Sequence, residues 1–223
     1  MKTSNIIITA FAILLVGSMF FLFADTVKHT KDEIAKISFK EYPLSNNFKV
    51  IVAEKGSDVN IVRSDTTSMR IEYITGKKVP AKLYEVINDT LHVYGGLRTF
   101  VKCDNITTVI GKHQWWFGVY NFAPESMKLR LTGGTATYSN EGVKEKPFDI
   151  DLAVSDSATI EIKNVNLRNL IVAIDKAHVN LNCYVRNISG KVQNHGGMTG
   201  IQSARNIVVQ RDSTSNFWNK DFN

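Results

Sequence analysis

The chain of 223 residues carries two cysteines, four prolines and five histidines, and each scarcity excludes something. Cys103 and Cys183 stand far apart, with no CxxC pair and no Cys/His spacing of the zinc-finger kind, so a structural zinc site is excluded. In an oxidising compartment the two thiols have the choice of one disulfide or of two separate buried positions. The histidines form no HExxH pair, and neither GxSxG nor a phosphate-binding glycine loop is present. No catalytic residue, cofactor site or metal site is therefore assigned. The formal charge is +6, yet the lysines and arginines are scattered and no basic block occurs. A mildly basic, soluble surface is expected, with no nucleic-acid partner.

What is present is an ordinary globular composition, 43% apolar and 22% charged, rich in strand-favouring Val, Ile and Thr. Ile6 to Ala24 is one uncharged run between Lys2 and Asp25. At a rise of about 1.5 Å per residue it would reach roughly 28 Å as a helix, near the thickness of a bilayer core. Leu22-Phe23-Ala24 is a poor small-x-small cleavage site, and no cysteine follows closely enough for lipidation. The run reads as an uncleaved transmembrane signal anchor (residues 1–24) in preference to a cleaved signal. Lys28, Lys31, Lys36 and Lys40 follow it, which by simple counting favours a cytoplasmic C-terminal side. Long domains translocate largely regardless of such charges, so the remainder is placed outside the cytoplasm.

Residues 25–46 are charged and polar and read as a juxtamembrane linker. From Phe48 the period is two: Phe48, Val50 and Val52, then Val59 and Ile61, then Met69, Ile71 and Tyr73, the mark of half-buried strands. Gly56-Ser57-Asp58, Ser64-Asp65-Thr66-Thr67 and Asn88-Asp89 supply turns. Residues 100–124, crowded with aromatics, read as a loop or hairpin inserted into this pattern. The last third repeats. Leu167-Arg168-Asn169-Leu170 returns as Val185-Arg186-Asn187-Ile188 and as Ala204-Arg205-Asn206-Ile207, with asparagines 18 and then 19 residues apart. Short strands at such a period predict an all-β parallel β-helix or solenoid of about 18–20 residues per rung, over residues 47–216, with 217–223 as a tail. Proline is absent after Pro147, as ladders paired on both sides require. Counting from the asparagines, Leu170, Val172 and Ile174 share one parity and should face the core. Ile171 and Ala173 should face solvent, and Asn169, Asn187 and Asn206 should stack.

Four stretches carry a family resemblance: Phe48-Lys-Val-Ile-Val, Asn88-Asp-Thr-Leu-His-Val, Ala153-Val-Ser-Asp-Ser-Ala and Val192-Gln-Asn-His-Gly-Gly. Through them Phe48 to about Ser213 resembles the head-GIN domain family, the auto-transporter adhesin-like domains of exported bacterial proteins. Ser155-Asp156-Ser157-Ala158 and Asp175-Lys176-Ala177-His178 stand where that family often has Ser-Gly-Ser-Gly. The resemblance implies a right-handed β-helix-like fold in the bacterial cell envelope, and no established activity.

Three candidate constellations follow. His113, Trp115, Trp116, Phe117 and Tyr120 form either a partner-binding aromatic cluster or a cap over the open end of the β-core. Asp156, Asp175 and Asn194 recur at intervals of 19 residues and would stack either around a cation or as turn residues bonded to local amides. Arg168, Arg186 and Arg205 would form an outward column, either contacting phosphate or uronate groups or standing as a solvated edge. The leading expectation is a non-enzymatic, membrane-anchored, adhesin-like module of the envelope presenting its surface to a protein or glycan. The rivals are a β-helix carbohydrate-active enzyme, lyase or hydrolase, which needs paired carboxylates in a groove, and an assembly subunit pairing through β-edges.

Overall fold

The computed structural model describes residues 14–28, 37–45, 48–75, 79–141, 146–201 and 203–219. The chain divides into two compact units, residues 1–38 with 73–77, and residues 39–72 with 78–223.

In the first unit, residues 14–28 are helical, and Leu14, Val16, Met19, Phe20, Phe21 and Phe23 are all exposed. Among the described residues no helix is long and apolar enough to cross a membrane. The spanning helix expected over Ile6–Ala24 lies in part outside the described residues, which take in that run only from Leu14 onward.

The second unit is all β. Its strands, of which residues 37–38 of β1 and 73–74 of β4 fall to the first unit, are β1 (Ile37–Pro43), β2 (Val50–Ala53), β3 (Asp58–Arg63), β4 (Ser68–Ile74), β5 (Tyr84–Ile87), β6 (Thr90–Val93), β7 (Arg98–Cys103), β8 (Thr108–Lys112) and β9 (Trp116–Tyr120). They continue with β10 (Ser126–Thr132), β11 (Thr135–Ser139), β12 (Phe148–Ser155), β13 (Thr159–Asp175), β14 (His178–Gln193), β15 (Gly197–Ile201), β16 (Ser203–Arg211) and β17 (Asn216–Asn219). From β10 to β17 the chain winds through about five turns of a β-solenoid. Each turn contributes one strand to each of two parallel ladders. One ladder stacks β8, β10, β12, the second half of β13, the second half of β14 and β16. The other stacks β9, β11, the first half of β13, the first half of β14, β15 and β17.

Earlier strands extend both ladders, but not in chain order. β2 lies between β6 and β8, and β3 lies between β7 and β9. The turn made by β6 and β7 is flanked in turn by antiparallel strands, β5 against β6 and β4 against β7. Met69 and Ile71 of β4 are buried there, so these strands cover the end of the stack. The aromatic cap inferred from the sequence is not what closes it. Nor is the stretch 100–124 an insertion: it supplies the end of β7 and the whole of β8 and β9 to the ladders. The linker and tail boundaries also move, since β1 begins within 25–46 and β17 runs past residue 216.

Alternation decides the core. Ile51, Val109, Leu129, Leu152, Val172 and Gly190 are joined by register into one inward column, and each apolar member is at most 2% exposed. Burying such side chains stabilises by about 1.5–3 kcal/mol apiece. The register runs on from Gly190 to Val209 of β16, and nothing larger than glycine fits at 190: its φ is 130° and an added Cβ would lie 1.9 Å from the carbonyl oxygen of Val172. The parity expected from the asparagine count is observed. Leu170, Val172 and Ile174 are buried, whereas Ile171 is 53% exposed.

Candidate functional site

The outward residues of the ladders carry the candidate chemistry. On β9, Phe117 and Val119 point into the core, and neither is exposed. Trp116, Gly118 and Tyr120 therefore share the outer face. The ring of Tyr120 folds back over Gly118, where an added Cβ would meet its hydroxyl oxygen and Cε2 at 2.4 Å. The register sets Trp116 beside Asp58 of β3, and Asp58 beside Arg98 of β7. Gly118 lies beside Asn60, and Asn60 beside Phe100. Arg98 Nε donates to Asp58 Oδ2 at 3.1 Å and Asn60 Nδ2 donates to Asp58 Oδ1 at 3.3 Å. The hydrogen bond to Asp58 raises the pKa of Arg98 further. Asp58, Asn60, Arg98, Phe100 and Trp116 line an open depression of about 370 Å³.

Of the residues expected in this cluster, the structure brings Trp116 and Tyr120 to the outer face. Phe117 belongs to the core. Trp115 is 72% exposed in the turn between β8 and β9, where its amide donates to the Ser57 carbonyl at 2.9 Å. His113 takes a left-handed φ of 49° in that turn, and its imidazole lies against Gly133. Asp58, Asn60, Arg98 and Phe100 were missed. Their signal was available as the outward parity of β3 and β7, opposite to Val59, Ile61, Thr99 and Val101.

Close to that turn, Glu54 ties three layers of the stack together. Its Oε1 is 3.0 Å from His92 Nδ1 and accepts from Lys112 Nζ at 3.2 Å. Burial pushes the Glu54 pKa up, but hydrogen bonds from His92 and Lys112 outweigh it and hold the group below its ordinary value.

The arginine column sits on later turns. Arg168 grips Asp149 with two bonds, Nε to Oδ1 at 2.9 Å and Nη2 to Oδ2 at 2.9 Å. Asn169 Nδ2 adds a third to Oδ1 at 3.0 Å. The Arg168 bond holds the Asp149 carboxyl below its usual range. Arg186 and Arg205 are exposed. The expected asparagine stack is present: Asn187 Nδ2 donates to Asn169 Oδ1 and Asn206 Nδ2 to Asn187 Oδ1, both at 2.8 Å.

The aspartate column is corrected. Ser155, not Asp156, faces Asp175, and Asp175 faces Gln193. Asp156 instead takes the left-handed turn position, φ 54°, as do Lys176 and Asn194 in later turns. Asn194 Nδ2 donates to Asp175 Oδ1 at 2.8 Å, so these residues serve turn geometry. Among the described residues, no group of three or more His, Cys, Asp or Glu side chains is placed to hold a metal ion.

No protein-family model matches the chain, so the head-GIN resemblance stands only on the residues that carry it. No curated protein matches its sequence. Solved structures do. A "putative lipid binding protein" from Parabacteroides distasonis is 9% identical, with 82% of this chain and 97% of that one covered and a TM-score of 0.52. A "putative adhesin" from Bacteroides fragilis is 12% identical over 82% of this chain and 96% of that one, with a TM-score of 0.47. Another "putative adhesin", from Parabacteroides distasonis, is 12% identical over 82% and 97%, with a TM-score of 0.42. At such identities the first likeness establishes the solenoid fold, and the fold alone.

Proposed function

We propose that the chain is a non-enzymatic, adhesin-like module of the bacterial cell envelope that offers the outer face of its solenoid to a protein or glycan partner. The observation that carries this is the aromatic face of the early turns. Trp116, Tyr120 and Phe100 stand on a solvent-facing ladder around the Asp58–Arg98 pair and Asn60. Aromatic planes beside a few fixed polar groups suit recognition, because rings give contact area at small entropic cost while the polar groups orient the ligand. An envelope location is supported by the uncharged run Ile6–Ala24 and by the exposed apolar side chains of helix 14–28.

The enzyme reading is less well served. Glycoside cleavage needs one carboxyl held protonated by a raised pKa. Among the described residues every carboxyl with a displaced pKa, Glu54, Glu85, Asp149 and Asp212, is displaced downward.

The test uses the full chain on a glycan array and in pull-downs from membranes, beside Trp116→Ala. Truncating a contact anchor should weaken partner binding by at least about tenfold while the fold survives by circular dichroism. Binding unchanged in Trp116→Ala would reject this face.

A further inference from the structure

The pair Arg-Asn occurs at the same corner of three successive turns, as Arg168-Asn169, Arg186-Asn187 and Arg205-Asn206, with the asparagines in register. At the first corner the chain supplies the ligand itself. The carboxylate of Asp149, one turn earlier, takes both bonds of the Arg168 fork and the amide of Asn169. The register position that Asp149 fills is filled one turn on by Asn169, and by Asn187 in the turn after. Arg186 and Arg205 thus meet a neutral amide where Arg168 meets a carboxylate. Both are exposed, and no ion pair or hydrogen bond joins either to another described residue. Neighbouring strands lie about 4.8 Å apart, so the two arginines stand one strand spacing from each other along the backbone, with no counter-charge bonded to either among the described residues. Tyr184 shares the outer parity of Arg186 and is 46% exposed.

Resting on the reading of the chain as a surface-presenting module, we propose that Arg186 and Arg205 form a carboxylate-binding stripe for an acidic polysaccharide, with Tyr184 as the face on which a sugar ring stacks. Asp149 on Arg168 and Asn169 is the internal template for each carboxylate contact, a bidentate geometry that guanidinium supplies and ammonium does not. The net charge of +6 favours any polyanion; the aromatic neighbour favours one built of rings.

The experiment measures binding of the full chain to a linear oligogalacturonate by titration calorimetry at two salt concentrations. The expected result is binding that weakens as salt rises, falls about tenfold or more in the double variant Arg186→Gln/Arg205→Gln, and is only partly restored by Arg186→Lys/Arg205→Lys. Melting curves of the variants should match the parent, since both side chains are exposed. The inference is overturned if the parent does not bind oligogalacturonate, or if the double Gln variant binds as tightly as the parent. Equal or tighter arginine-dependent binding of polyglutamate, or of phosphatidylglycerol vesicles, would overturn it too. Because Trp116 stands on other turns, partner binding lost in Trp116→Ala with no oligogalacturonate binding would sink the stripe and leave the module reading standing.

Discussion

Replacing Val172 by Asp should come close to unfolding the solenoid, while the same change at Ile171, one residue away, should barely register. Val172 is 2% exposed and its register neighbours are Leu152 and Gly190. The substitution forfeits the burial of an aliphatic side chain, about 1.5–3 kcal/mol. It also leaves a carboxylate in the core with no partner, an effective cost of several kcal/mol after relaxation. The sum, of order 5 kcal/mol or more, rivals the whole stability of a typical domain, about 5–15 kcal/mol. Ile171 is 53% exposed between Asp151 and Ser189. An aspartate there adds mild repulsion from Asp151, itself neutralised by Arg130 at 2.5 Å, and should cost no more than about 1 kcal/mol. Urea unfolding followed by far-ultraviolet circular dichroism reads both variants on one scale. Equal midpoints for the two would show a strand buried on both faces. A lower midpoint for Ile171→Asp would show that the inward parity has been assigned backwards.

Acid should weaken the fold through Asp149. Its folded pKa lies below the unfolded value of about 3.9, so its pairing with Arg168 contributes above that value and is lost as pH falls through the folded pKa. Arg168→Gln should flatten the decline of melting temperature below about pH 4, and an unaltered slope would refute the assignment. Cys103 and Cys183 are free and buried, and burial pushes both thiols up to about 12. Neither should react with a disulfide reagent at pH 8 until the protein is unfolded; rapid labelling of the native chain would contradict this placement.

The late turns were legible because they repeat without interruption. Asn169, Asn187 and Asn206 differ by one solenoid turn each, so a fixed sequence period is also a spatial step, and parity counted from them gives the buried face. The aspartates misled because the connecting turns vary in length. Ser155 faces Asp175 at a separation of 20 residues, but Thr159 faces His178 at 19, so no single period can align the residues in between. The early turns hid for a stronger reason. Val50 is paired with Thr90 and with Thr108, and the strands that intervene include the covering β4 and β5 as well as ladder strands β3 and β7. In β9 the cluster of aromatics masked a plain alternation: Phe117 and Val119 inward, Trp116 and Tyr120 outward. The depression around Asp58 and Arg98 joins strands that are remote in sequence, and only the pairing of β3 with β7 brings them together.

The placement of β2 and β3 inside the stack, with later strands on either side, gives the two ends of the molecule different scope for evolutionary change. At the C-terminal end the turns follow one another in chain order, so duplicating a segment of 18 or 19 residues would lengthen the stack while leaving every earlier partnership in place. At the other end a newly inserted turn would have to part β6 from β2 or β7 from β4, disturbing pairs on both sides at once. Relatives of this chain are therefore expected to differ in length chiefly by whole turns near β14 to β17, with β2 to β9 as the invariant nucleus on which those turns were added.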